Sequence, residues 1–191
     1  MDRILVLNPG SSTLKASVVD LRPGTHLADL AADPPPGEAA TTIEWAPTRP
    51  SARDIKADLR RLFDSLEADG IPLTSISAVG YRVVHGGPSL RAPVRADPAA
   101  DPHGAVIREI GALRRLAPLH NGVAAATMRA GLATAPGIPH VAVFDTAFHA
   151  TLPEEAWRYP LPREWYAKWG VLRIEAREDL VIAAAAATLL R

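Results

Sequence analysis

Two rhythms of apolar and polar positions run through this chain. Residues 3–7 and 13–20 (RILVL and TLKASVVD) have strand-like patterns and are joined by a Gly-Ser turn, a hairpin-like start. TIEW at 42–45 reads as another short strand. From 54 to 68 the rhythm changes: Ile55, Leu59, Leu62, Phe63 and Leu66 recur at helical spacing, and Gly70 with Pro72 ends that helix. ISAVGYRVVHGG, 76–87, predicts a buried strand running into a glycine turn. Residues 105–117 predict a helix on Val106, Ile110, Leu113 and Ala117. Pro118 interrupts it, and HNGVAAATMRAGLA restarts as a second helix. HVAVFD, 140–145, is an apolar strand ending in an aspartate. LPREWYAKWG predicts a short helix and REDLVIAAAAATLLR a final one. Glu178 and Asp179 in its first turn suit the positive end of the helix dipole. The body of that helix is apolar on nearly every face and so must be buried against something. LAADPPPGEAA and PVRADPAADPH read as irregular loops.

Strands and helices mix without strict alternation. That order favours an α/β domain with a mixed sheet over a doubly wound parallel one. No internal repeat is visible.

Composition narrows the function classes. At 191 residues and 48% hydrophobic, the chain supports one good core and is not disordered in composition. A formal net charge of zero gives no footprint of a nucleic-acid or membrane-surface binder. The absence of cysteine excludes disulfides, thiolate metal sites and cysteine nucleophiles, and fits a cytoplasmic location. MDRILVLN lacks the basic-then-apolar pattern of a leader. The longest apolar run, residues 180–190, is about half the ~20 residues a bilayer demands.

Four polar segments carry candidate chemistry. NPGSSTLK, at 8–15, offers Gly10, three hydroxyls and Lys15 in a tight turn. Successive N–H groups and the Ser11, Ser12 and Thr13 hydroxyls suit phosphate oxygens, with Lys15 neutralising charge. It is not a Walker A loop, and an ordinary hairpin turn is the competing reading. In GYRVVHGG, Arg82 and Val84 share one strand face, with Tyr81, Val83 and His85 on the other. An arginine in an apolar strand needs a partner: either a ligand's carboxylate or phosphate, with Val84 as apolar wall, or a structural carboxylate. PLHNG sets His120 and Asn121 at a helix start, which suits either a docked anion or a capping Asn beside a surface His. Asp145 ends a strand, where α/β sheets place ligands. It suits a cation, a base or an orienting role, or a cap. Asp145 and His149 at i, i+4 do not make a metal site. The histidines at 26, 85, 103 and 140 form no ligand pattern, and tryptophans 157, 165 and 169 read as core or interface.

Taken together, VLNPGSSTLK, AVGYRVVHGG, LAPLHN and VAVFDTAFHATLPEEAWRYPLPREWYAKWG resemble segments of the acetate kinase family, in that family's order, from residue 3 to about 170. The resemblance implies the acetate and sugar kinase, heat-shock ATPase and actin superfamily. The expected fold is therefore α/β: a ribonuclease-H-like (actin-like ATPase) domain with a mixed sheet and packed helices. It implies transfer of the ATP γ-phosphoryl to acetate with Mg2+, giving acetyl phosphate and ADP. Carried over by motif, Asn8 lies near magnesium, Lys15 near the ATP phosphates, and Ser11 and Ser12 in the phosphate loop. Arg82 holds the acetate carboxylate with Val84 in the methyl pocket. His120 contacts the transferring phosphoryl group, and Asp145 is the catalytic carboxylate. Thr13, Tyr81 and Gly122 depart from the family's usual serine, histidine and proline.

Family members are much longer than this chain and carry a second domain that binds adenine and ribose. After KWG their Phe-His-Gly-Thr-Ser-His motif does not follow here; VLRIEAREDLVIAAAAATLLR instead resembles the family's extreme C-terminus. On that match Glu178 is linked to magnesium. The expectation is an N-terminal domain at 1–170 joined to a helix at 171–191 that packs back on it, with the middle missing and the junction near Gly170 and Val171. Kinase activity is then expected to be impaired. The resemblance implies a homodimer, with acetate or a similar short carboxylate and ATP/ADP as ligands. Propionate and butyrate are close alternatives, because a pocket gains only about 1–3 kcal/mol per methylene. The reading from another class is a non-catalytic domain kept for binding or dimerisation.

Overall fold

A computed structural model describes residues 2–10, 14–21, 40–45 and 55–148, together with 182, 185, 186 and 189. Ser11, Ser12, Thr13, His149, the three tryptophans at 157, 165 and 169, the short helix expected in LPREWYAKWG, the 170/171 junction and Glu178 lie outside the described residues. The elements are β1 (Asp2–Pro9), β2 (Leu14–Leu21), β3 (Ala40–Trp45), α1 (Ile55–Ala68), β4 (Ala78–Val83), β5 (Val94–Arg95), α2 (Ala105–Ala112), α3 (Asn121–Thr134), β6 (His140–Phe144) and a short α4 (Asp145–Phe148).

These strands form one sheet in the order β3-β2-β1-β4-β6-β5. β1, β4 and β6 run parallel to one another, while β2, β3 and β5 join by antiparallel pairing. The sheet is mixed, as the order of elements predicts. Its three parallel strands sit centrally, and their carboxyl ends coincide.

Side-chain alternation splits the core in two. Leu5, Leu7, Val18, Val79, Tyr81, Val83, Ala142 and Phe144 face one way and are covered by α1, α2 and α3 through Leu59, Leu62, Phe63, Leu66, Ile107, Ile110, Ala124 and Met128. Ile4, Val6, Val19, Leu21, Ala78, Val141 and Val143 face the other way. There they meet Ile182, Ala185 and Ala186, which are helical and buried. This is why so apolar a segment exists near residue 182: both faces of a mostly parallel sheet must be covered.

Local chemistry ends α1 where the periodicity stops. Gly70 takes a left-handed φ of 79°, the Ile71 N–H donates to the Leu66 carbonyl at 2.8 Å, and the Gly70 N–H donates to Glu67 at 3.0 Å. That is a Schellman cap, for which glycine is the low-strain residue. The segment PVRADPAADPH is not wholly irregular. Val94 and Arg95 pair with Ala142 and Val141, and the Ala96 N–H donates to the His140 carbonyl at 2.8 Å. Asp97 anchors this edge, accepting from Arg95 Nε and Nη2 at 2.9 Å each and from the His140 N–H at 3.3 Å. Burial alone would raise the Asp97 pKa, but these donors outweigh it and hold the carboxyl below its usual range.

Beneath the central strands, His140 is fully buried between Tyr81 and the end of α3. Its Nε2 lies 2.9 Å from the Ala135 carbonyl, so that nitrogen donates and Nδ1 accepts from the Tyr81 hydroxyl at 2.7 Å. Burial drives the imidazole pKa below its ordinary value against the pull of Ala135 and Asp97. Tyr81 has no room to spare: a Cβ on Gly131 would come within 1.9 Å of its hydroxyl.

Gly80 makes the closest approach on the opposite face. A Cβ there would lie 2.7 Å from Ile182 Cγ2 and 3.7 Å from the Ala186 Cβ. Gly80→Ala is therefore expected to destabilise the chain by about 1–3 kcal/mol through overpacking, despite the entropy it saves. Gly122→Ala in α3, where nothing lies within 4 Å, is expected to be neutral or stabilising. Urea unfolding of both variants checks this, and a Gly80→Ala chain as stable as the parent would contradict the contact.

Candidate functional site

The side-chain parity that builds the second core also builds a polar row at its end. Along β1, Ile4 and Val6 point to the second face, and Asn8 is next in that series. Along β4 the series runs Ala78, Gly80, Arg82. Along β6 it runs Val141, Val143 and then Asp145, the first residue of α4. On β2, Leu21, Val19 and Ser17 lead back to Lys15, which the register sets opposite Asn8. Leu7 pairs with Tyr81, so Asn8 and Arg82 are neighbours across the β1–β4 boundary. Lys15, Asn8, Arg82 and Asp145 thus form one row, apolar below and open at the carboxyl ends of β1, β4 and β6. Open α/β sheets bind ligands at that edge.

Arg82 ties the row together. Its Nε lies 3.0 Å from both Asp145 carboxylate oxygens, and its Nη2 lies 2.8 Å from Oδ2. Nη1 donates to Asn8 Oδ1 at 3.2 Å. The Arg82 side chain is 20% exposed and that of Asp145 7%. At such burial each charge depends on the other, and removing one partner of a buried pair costs about 3–5 kcal/mol. The partner Arg82 has is therefore a carboxylate of the chain itself, and it is another predicted site residue, Asp145. Lys15 is exposed at the start of β2.

Val84 lies one residue beyond β4 and is half-buried. The turn after it is held from two sides. The Asn121 amide accepts from the His85 N–H at 3.2 Å and donates to the His85 carbonyl at 2.7 Å. The Thr146 hydroxyl accepts from the Gly86 N–H at 3.0 Å. Glycine is required at this turn: a Cβ on Gly86 would fall 2.0 Å from the Leu90 carbonyl, and Gly87 has φ 65°.

Asn121 is not a surface cap. It is fully buried, and its amide grips a backbone 36 residues away while α3 has no side-chain cap at its N-terminus. His120, the residue before the helix, is half-buried, and its Nδ1 is buried without a hydrogen-bond partner among the described residues. Such a nitrogen demands an explanation. The structure brings together Asn8, Lys15, Arg82 and Asp145. His120 is linked to them through Asn121 and the His85 turn. Sequence reasoning missed the positioning parts played by Asn121 and Thr146, because neither has a local signature.

Among the described residues no group of three or more His, Asp or Glu could form a metal cage. Asn8 Oδ1 and the Asp145 carboxylate are hard oxygen donors that meet the same Arg82 guanidinium.

The model of the acetokinase family matches residues 3–177. The acetate kinase of Deinococcus radiodurans is 39% identical over 174 residues, covering 88% of this chain and 42% of that protein. The acetate kinase of Geobacter metallireducens is 36% identical over 201 residues, covering 98% of this chain and 46% of that protein. Among solved structures, a propionate kinase from Francisella tularensis superposes with TM-score 0.61 at 28% identity, over 92% of this chain and 45% of its own. The Porphyromonas gingivalis acetate kinase gives TM-score 0.61 at 28% identity, over 91% and 45%. The chain spans less than half the length of these relatives. Its mixed sheet with packed helices matches their actin-like ATPase fold.

Asn121→Ala would remove both bonds that the amide makes to the half-buried His85 backbone. The expected loss is about 2 kcal/mol of stability, since each unmade buried bond costs about 1–3 kcal/mol. Urea unfolding measures it; a change near zero would show that the amide does not hold the turn.

Proposed function

The chain belongs to the acetokinase family, and on that premise we propose that it carries the acceptor and phosphate half of an acetate kinase-type phosphotransferase site. The reaction is the transfer of the γ-phosphoryl of ATP to a carboxylate oxygen of acetate, with ADP leaving. The observation that supports this most is the row of Lys15, Asn8, Arg82 and Asp145 at the carboxyl ends of the parallel strands.

Phosphoryl transfer asks a protein mainly for positioning and charge neutralisation. In this reading the Arg82 guanidinium seats the acceptor carboxylate through two parallel hydrogen bonds, with Val84 beside the methyl group. Lys15 neutralises nucleotide phosphates, and Ser11 and Ser12 of the same NPGSSTLK segment hydrogen-bond them. His120, whose buried Nδ1 has no hydrogen-bond partner among the described residues, meets the transferring phosphoryl group. Asp145 is the catalytic carboxylate.

Magnesium takes hard oxygen ligands, commonly one or two from protein and the rest from phosphates and water. Asn8 Oδ1 and the Asp145 carboxylate fit that donor set, with Glu178 as the further ligand. Bound there, magnesium would offset the charge of the phosphates.

We further read residues 1–170 as the N-terminal domain and 171–191 as the helix returning to it, a reading supported by the burial of Ile182, Ala185 and Ala186. Because the 191 residues span less than half the length of the acetate kinases they match, little or no acetyl phosphate formation is expected from these residues alone. The reading includes pairing of two copies and a cytoplasmic setting.

Thermal unfolding tests the assignment. Acetate and inorganic phosphate should each raise the Tm. Lys15→Ala should abolish the phosphate response and keep the acetate response, and Arg82→Ala should abolish the acetate response. A chain that forms a tight dimer yet responds to neither ligand would instead support a non-catalytic domain.

A further inference from the structure

The side-on edge of Arg82 already holds a carboxylate. A guanidinium receives a carboxylate through a parallel pair of donors, along its Nε/Nη2 edge or its Nη1/Nη2 edge. Here Asp145 takes the Nε/Nη2 edge, with contacts of 3.0 Å from Nε and 2.8 Å from Nη2. Asn8 Oδ1 takes a hydrogen of Nη1. Beyond its Cα, the aspartate side chain is a methylene bearing a carboxylate. It is chemically an acetate tethered to the backbone.

We propose that Asp145 occupies the acceptor's own seat on Arg82, and that a small carboxylic acid binds by exchanging places with it. The proposal rests on the reading of Arg82 as the acceptor's carboxylate site. No covalent bond changes. One carboxylate leaves the guanidinium as another arrives, so Arg82 keeps its counter-charge throughout. Two full carboxylates on one donor edge are excluded by their mutual repulsion, which is strong at this burial.

Two consequences follow from the exchange. The apparent affinity for the acceptor is lowered by the fraction of time that Asp145 holds the seat. The arriving acceptor also releases Asp145 from its neutralising partner. The catalytic carboxylate therefore becomes available only when there is an acceptor to act on. Size selection comes from the same fit, because a seat filled by a tethered acetate has the dimensions of a short-chain acid.

Titration of the 191-residue chain with acetate tests this, comparing the unsubstituted protein, Asp145→Asn and Arg82→Ala. Asparagine keeps the shape and an acceptor oxygen but lacks the charge that competes. Asp145→Asn is expected to bind acetate about tenfold more tightly, for a seat held by Asp145 some nine-tenths of the time. Arg82→Ala is expected to show no saturable binding. In the unsubstituted chain the carboxyl-carbon NMR resonance of Asp145 should shift in step with acetate saturation. This last reading decides the matter if Asp145→Asn fails to fold. An Asp145 resonance that does not move at saturation, or an Asp145→Asn affinity no tighter than the parent's, overturns the exchange. If Arg82→Ala still loses binding in that case, the acetate site itself stands. Binding that survives Arg82→Ala, or acetate binding to none of the three, overturns both the exchange and the site.

Discussion

A guanidinium that keeps only a fifth of its side-chain exposure must be met by negative charge. Arg82 sits at that limit in the middle strand of the parallel set, and the arrangement around it follows from meeting the need. Asp145 supplies the charge from the end of β6, and Asn8 supplies a neutral oxygen from the end of β1. Three strands distant in sequence are thereby tied at their carboxyl ends by one side chain. The hydrophobic core places the strands, and Arg82 makes their ends converge on a common polar point.

The two-sided burial of the sheet serves the same point. α1, α2 and α3 cover one face, and the helical residues around 182 cover the other. Gly80, two residues before Arg82 on the same strand face, lets Ile182 approach the sheet closely. The apolar floor of the polar row is therefore made partly by residues near the end of the chain. The His85–Gly87 turn, gripped by Asn121 and Thr146, fixes how the chain leaves Arg82 and Val84.

Much of this was legible in the sequence, for identifiable reasons. The helix at 55–68 has regular spacing and a glycine stop, both local signals. Arg82 stood out because a charge inside an apolar strand is costly, and Asp145 because it closes one. Their pairing was one of two open readings, since parity alone cannot say which strand ends meet. β5 was hidden because two residues between prolines carry no period; tertiary pairing with β6 makes it a strand. A capping role was one of two readings open for Asn121, and its actual hold on the His85 turn was hidden because that partner lies 36 residues away. Residues such as these are specified by the fold, not by their neighbours in the chain.

Membership of the acetokinase family supports the phosphotransferase chemistry proposed for the row, and the Arg82–Asp145 pair is the starting state proposed for it. The central claim is that Arg82 is a carboxylate seat whose resident is Asp145. A crystal structure of the chain grown with saturating acetate tests it most directly. The account predicts acetate oxygens on Nε and Nη2 of Arg82, with the Asp145 carboxylate turned away. Arg82 still paired with Asp145, and acetate bound elsewhere or not at all, would contradict it.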